Sequence, residues 1–281
     1  MLAPAVALLL AAAAAEEPIP AVSRCRALPE LPARRLPFRT GERLEYSVDL
    51  LGGVPAGRVT LDLLAPVRRF GALTLPARAH ALGSEFFQRF GKVDSLGVSY
   101  LRPRNLHPAS YREDFLGPGG KYWTEVGFPE LGPGRVRVRF GNPGGGGEKS
   151  LFSAPDALDD VGVFYLLRTL PLKVGESLCF DVYGARHLWR VWGAVAAREA
   201  IDTPAGHFMA LRLDGQAARV DSPARRKRLR LWISDDPRRL PVAAMGELDL
   251  GPVRALLTSA TTAATGPPPA PRACAGSARS R

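Results

Sequence analysis

From Leu44 the chain alternates apolar and polar residues with a period of two. Leu44-Glu45-Tyr46-Ser47-Val48-Asp49-Leu50 is broken by Gly52-Gly53, and Gly57-Arg58-Val59-Thr60-Leu61-Asp62-Leu63 then repeats the pattern. Successive side chains of a strand point to opposite faces, so each segment has one apolar and one polar face, and the pair reads as a β-hairpin. A third strand is expected at 73–82, after the turn Arg68-Arg69-Phe70-Gly71. The stretch 84–90 fits either a capped helical turn or a further strand. Short strands recur at 96–101, 109–115, 121–128 and 135–140, divided by Pro and Gly as in a meander. In Arg135-Val136-Arg137-Val138-Arg139-Phe140 the arginines share one face and the apolar groups the other, which predicts a sheet with one wet face. Asn142-Pro143 and the four glycines after it read as a flexible loop.

A helical period appears over 156–170, where Leu158, Val161, Tyr165 and Leu166 fall near one face. Asp159 and Asp160 suit its positive amino end, and Pro171 and Gly175 end it. Strand patterns resume at 177–183, 187–198, 207–220, 227–234, 240–250 and 253–261. The predicted fold is mainly β, a strongly curved antiparallel sheet forming a partly closed barrel or sandwich. The one helix is expected to cover an edge or opening.

The two ends differ from this body. Residues 1–15 form a short apolar run closing on Ala13-x-Ala15, which has the shape of a secretory signal and is too short to span a membrane. Cleavage is expected after Ala15, and no other run approaches membrane length. Cys25 follows Val22-Ser23-Arg24, which does not fit lipoprotein processing. Residues 16–37 read as a Pro- and Arg-rich arm, 38–261 as a single β-rich domain, and 262–281, with Pro267-Pro268-Pro269, as a disordered tail.

Composition changes this picture little. About 265 residues would remain after cleavage, enough for one large β-domain. The formal charge of +11 comes mainly from Arg, with five Lys, beside abundant Ala, Gly and Pro. GC-rich codons produce that set without selection for a partner, so nucleic acid is not implied, and an anionic envelope surface or lipid is the more natural contact. Of the three cysteines, Cys25 and Cys274 flank the β-core. Termini of compact domains often lie close together, so these two are the expected disulfide, with Cys179 free. There is no CxxC and no His at ligand spacing, so neither zinc nor any other cofactor is expected.

Candidate chemistry is sparse. His80, His107, His187 and His207 stand on separate predicted strands, and each reads as structural. Asp94-Ser95 lacks a Gly-x-Ser-x-Gly elbow. The adjacent pairs Asp159-Asp160 and Asp235-Asp236 read as helix-start and turn residues. Asp160 and Arg168 stand eight apart, a little over two helical turns, so both side chains fall near one helix face. Arg168 then either docks the helix on a strand carboxylate or carbonyl or holds a ligand headgroup. Arg228, Arg230 and Trp232 share one strand face, with Leu229, Leu231 and Ile233 on the other. Trp189 and Trp192 point to opposite faces.

Several of these positions together resemble the bacterial domain of unknown function 3108, found in exported proteins. The resemblance runs from about Phe38 to Thr258. It is carried by Phe38-x-x-Gly41-Glu42-x-Leu44-x-Tyr46, Ala56-Gly57, Asp160-x-x-x-x-Tyr165-x-x-Arg168 and Leu170-Pro171-Leu172-x-x-Gly175. Further on come Thr203-Pro204-x-Gly206-x-Phe208, Trp232-Ile233-Ser234-x-Asp236 and Arg239-Leu240-Pro241-Val242. It implies export and a β-rich fold, and brings no activity, cofactor or catalytic residue. The candidate ligand-binding or structural residues are therefore Asp160, Tyr165, Arg168, Arg228, Arg230 and Trp232. Two readings of function compete: an envelope protein that binds an apolar or lipid-like ligand, or a partner, in the concavity, and a hydrolase acting on envelope polymer. Clustering of Cys179, Asp181 and His187 would favour the hydrolase. A structural scaffold is a third reading.

Overall fold

The computed structural model describes residues 18–21, 25, 36–50, 53–69, 71–89, 93–117, 119–129, 134–153, 156–248 and 251–262. The signal segment 1–15, most of the arm, Cys274 and the tail from 263 lie outside them. In chain order the elements are β1 (Glu42–Leu50), β2 (Val54–Leu63), β3 (Val67–Arg69), β4 (Ala72–Gly83), α1 (Glu85–Gln88), β5 (Asp94–Leu101) and β6 (Pro108–Gly117). They continue as β7 (Gly120–Gly127), β8 (Gly134–Asn142), β9 (Gly145–Ser153), β10 (Leu158–Asp159), α2 (Gly162–Leu167), β11 (Ser177–Gly184) and β12 (His187–Thr203). The last four are β13 (Gly206–Arg219), β14 (Ser222–Ser234), β15 (Pro241–Leu248) and β16 (Gly251–Thr262).

One sheet holds them in the order β10-β11-β12-β13-β14-β15-β16-β1-β2-β4-β5-β6-β7-β8-β9, with β3 beside β4. Neighbours are antiparallel except β10, which runs parallel to β11. The meander returns on itself where β16 pairs with β1, with Tyr46 opposite Leu257. It stays unclosed between β9 and β10.

The period of two decides which face goes inside. Phe180, Val182, Val195 and Leu213 from β11 to β13 share one core with Leu63, Ala77, Val126, Val136 and Val138 from β2 to β8. The segment before β11 joins these halves through Ala157, Leu158, Val161, Tyr165, Leu166 and Leu170. Burying each such Leu contributes about 1.5–3 kcal/mol. The helix therefore packs inside the curl of the sheet, and these side chains occupy the space between helix and sheet. Curling is helped by a close approach of β12 to β13. A Cβ on Gly193 would lie 2.2 Å from the Asp214 carbonyl oxygen, which only glycine tolerates.

Two local expectations change and one open alternative is decided. The helix covers Gly162–Leu167 rather than 156–170, because the Asp159 carboxylate accepts the N–H groups of Val161 (3.0 Å) and Gly162 (2.6 Å) and starts it there. The glycines taken for a loop open β9, which pairs with β8 through Gly146 opposite Gly141. A Cβ on Gly146 would meet the Phe140 carbonyl oxygen at 2.7 Å, so the absence of side chains permits this pairing. The ambiguous stretch at 84–90 forms the short helix α1.

The expected bridge between Cys25 and Cys274 is also corrected: Cys25 is bonded to Cys179 on β11. The described part of the arm lies near β11 and β12, where Arg190 donates to the Pro20 carbonyl (3.2 Å). Beside it, Arg190 holds both carboxylate oxygens of the buried Asp181, at 2.9 and 3.2 Å.

Candidate functional site

The unclosed seam is where unusual chemistry collects. β11 and β12 are joined by the two-residue turn Ala185-Arg186, with φ of 48° and 65°. A tight turn with both central residues at positive φ matches the twist of a hairpin, but it normally carries Asn or Gly. Ala and Arg there cost about 1–2 kcal/mol each, and such strain persists where the surrounding structure or function holds it. Across the seam, Lys149 on β9 donates to the Arg186 carbonyl oxygen (3.4 Å).

A cleft of about 370 Å³ opens here, walled by Tyr122, Phe140 and Tyr183, with Lys149, Arg186 and His187 at its sides and Trp123, whose ring lies on the other face of β7, at its rim. Register explains the walls. Thr124 stands opposite both Glu113 and Phe140, and Val126 opposite Val138, so one sheet face runs from apolar core to an aromatic mouth. A smaller cavity of about 190 Å³ shares Tyr122, Trp123, Thr124 and Arg186 and adds Ser95, Glu113 and Phe115.

The cleft carries positive charge. The Arg186 guanidinium lies 5.2 Å from the Tyr122 ring centre and the Lys149 ammonium 6.0 Å from that of Phe140. Among the described residues neither forms an ion pair with a carboxylate. Burial lowers the pKa of His187, the positive charge of Arg219 adds to this, Asp221 opposes it, and Lys149 and Arg186 contribute further lowering. Its buried Nδ1 has no hydrogen-bond partner, with Asp221 Oδ2 3.9 Å away.

Buried acids lie close to this mouth. Burial raises the Glu113 carboxyl, against the Ser95 hydroxyl that donates to it (3.2 Å). Asp160 is raised well above the carboxylate range by burial, by Glu113 and by Asp159, and the Tyr111 hydroxyl opposes this. Its Oδ1 has no hydrogen-bond partner. Asp159 is pushed up to about 6 by burial, although the Ser99 hydroxyl (2.6 Å) and two backbone N–H groups favour its charged form.

A pH dependence follows. An acid whose folded pKa lies above its unfolded value of about 3.9 binds more protons when folded, so its contribution to stability falls as pH rises from about 4 through 6. Asp159 is expected to contribute a loss of about 3 kcal/mol over that window. Asp159→Asn keeps an oxygen for the helix cap and is expected to flatten this part of the profile. Urea midpoints from pH 4 to 7 check it, and identical slopes in both proteins would contradict the assignment.

The residues singled out from sequence fall in three places. Arg168 and Tyr165 lie in the core. The Arg168 guanidinium forks both Glu42 oxygens at 2.6 and 2.9 Å, donates to the Arg238 carbonyl oxygen (3.0 Å), and lies 4.9 Å from the Phe38 ring centre. Asp160 belongs instead to the acid group, because the short helix begins after it. Arg228, Arg230 and Trp232 stand together on β14. Arg230 pairs with Asp214 (2.7 Å), the Trp232 indole donates to Glu199 (2.8 Å), and Arg228 and Arg230 line a broad groove of about 1250 Å³ with Pro18–Ala21. On β8, Arg137 and Arg139 reach Glu148 (3.7 Å) and Glu125 (3.6 Å), which offsets part of that basic face.

The combination that would favour a hydrolase is not assembled: Cys179 is in the disulfide, Asp181 is held by Arg190, and His187 lies in the seam. Sequence reasoning missed Lys149, Arg186, Glu113 and Tyr122 as a group. One signal was present: a two-residue turn between strong strands with no Asn or Gly at its centre.

An unclosed antiparallel barrel with an aromatic, cationic cleft at its seam defines a β-barrel-like protein. The chain belongs to the family described as Protein of unknown function (DUF3108), whose model matches residues 45–258. No curated protein matches it. Among solved structures it is similar to a β-barrel-like protein of domain of unknown function DUF1849 from Brucella abortus, at 10% identity and a TM-score of 0.48, covering 79% of this chain and 98% of that one. It is also similar to a protein with YmcC-like fold from Bacteroides fragilis, at 8% identity and a TM-score of 0.37, covering 81% and 98%. No helix among the described residues is long and apolar enough to cross a membrane.

Proposed function

We propose that this is an exported envelope protein that holds a small apolar or lipid-like ligand in the seam cleft. The observation that carries the reading is the cleft itself: about 370 Å³ with the aromatic side chains of Tyr122, Phe140 and Tyr183 around it, within the size range of small-molecule sites. The site is the seam rather than the space between helix and sheet, because Leu158, Tyr165 and Leu166 fill that space. Export is supported by the signal-shaped residues 1–15 and by the Cys25–Cys179 disulfide, a bond that persists in oxidising compartments.

The test is native mass spectrometry with solvent extraction of protein purified from its own envelope fraction, beside titration with the uncharged probe Nile red. A mature chain beginning at Glu16, a co-purifying lipid and saturable probe binding are expected. Tyr122→Ala combined with Phe140→Ala should weaken probe binding about tenfold, the loss of two aromatic walls. Absence of both lipid and probe binding would defeat the reading.

A further inference from the structure

Among the described residues many arginines meet a carboxylate: Arg78 with Asp62, Arg112 with Asp114, Arg190 with Asp181, Arg219 with Asp221 and Arg254 with Asp49. Arg186 and Lys149 form no ion pair among the described residues and lie against aromatic rings of the cleft, with Glu113 feeling the charge of Arg186 from the adjoining cavity. The His187 Nδ1 beside them is buried and unpartnered. The positive field of the two cations reaches that ring, since both disfavour its protonation.

We infer that Lys149, Arg186 and His187 form a headgroup site for a singly or doubly charged anion, so that the cleft selects an amphipathic anion, an acyl carboxylate or alkyl phosphate, over a neutral lipid. The inference rests on the seam cleft being a ligand site. Its chemistry is complementary on both counts. Two cations with eight N–H donors between them suit carboxylate or phosphate oxygens, and the apolar walls suit a chain. His187 at neutral pH offers one further N–H. Two acids would face the anion, Glu113 in the adjoining cavity and Asp221 3.9 Å from His187 Nδ1, the latter paired with Arg219. Burial holds the Glu113 carboxyl up and Arg219 offsets the charge of Asp221, which limits the repulsion.

The turn adds an independent argument. Arg186 sits at φ 65°, where glycine is at ease and arginine is not. A position that keeps a strained cation at the rim of a cleft, where a glycine would hold the turn better, is what a binding role for that cation requires.

The experiment uses the full mature chain and displacement of Nile red by decanoate, decyl phosphate, decanol and inorganic phosphate. Decanoate or decyl phosphate should displace the probe at about tenfold lower concentration than decanol, the effect of one charge-assisted contact. Whichever of the two is favoured identifies carboxylate or phosphate as the headgroup. Arg186→Gly should abolish that preference while its melting temperature stays the same or rises, and Lys149→Gln, on the sheet edge, should reduce the preference without unfolding the chain. Decanol matching the two anions in the unaltered protein would overturn the inference and leave the apolar site standing. Inorganic phosphate competing as well as decyl phosphate would overturn the amphiphile assignment. Failure of Nile red to bind at all would remove the ligand site itself, and the headgroup with it.

Discussion

Replacing Arg168 by methionine is expected to destabilise the protein by about 3–5 kcal/mol, the range for breaking a buried ion pair from one side. The physical reason is the partner left behind. Glu42 is 5% exposed and Arg168 2%, and each carboxylate oxygen of Glu42 accepts one arm of the guanidinium. Without Arg168 that carboxylate must lose its charge or admit water. Arg168 also joins parts of the chain remote in sequence, since it donates to the carbonyls of Pro37 (3.4 Å) and Arg238 (3.0 Å). Removing both charges is a different perturbation. Glu42→Leu with Arg168→Met should recover most of the loss, because no uncompensated charge stays buried. Urea unfolding of the two single variants and the double variant measures this. A change below about 1 kcal/mol in Arg168→Met would contradict the geometry, since surface substitutions alone give values that small.

The second large effect belongs to the disulfide. Cys25 and Cys179 are 154 residues apart, and in the chain-entropy model closing so long a loop stabilises by about 5 kcal/mol. Cys25→Ser is expected to lose up to that amount and to free the arm from the sheet. Arg190 would then lose the Pro20 carbonyl (3.2 Å), and the Asp181–Arg190 pair would become more hydrated. Two measurements separate these consequences. Urea unfolding reports the total, and amide exchange in β11 and β12 reports the loosening beside the arm. Non-reducing peptide mapping tests the pairing itself, with a Cys25–Cys179 peptide and an alkylated Cys274 expected. A bridge that includes Cys274 would refute it.

Much of this fold is written locally. Leu44 to Leu50, Gly57 to Leu63 and Arg135 to Phe140 alternate because a strand with one wet face must, and these became β1, β2 and β8. Where local pattern is absent or ambiguous, tertiary pairing decided the outcome. Glycines at 145–147 carry no pattern, yet they pair with β8 because a bare backbone can approach Phe140 closely. The apolar positions at 156–170 fit a long helix, but Asp159 caps the backbone at Gly162, and Leu158 and Asp159 pair with Val182 and Tyr183.

The cleft was the least legible part. Glu113, Tyr122, Lys149 and Arg186 belong to four separate stretches of sequence, and only the curl of the sheet places them around one seam. The same holds for the cysteines, where proximity of the chain ends was the wrong guide because the arm reaches β11. Alternation, turns and a short apolar start depend on neighbours along the chain, so the sequence alone determined a β-rich, one-faced sheet. Which cations went without carboxylates, which acid stayed buried and which thiols met depend on distances across the barrel, and those only the folded sheet determined.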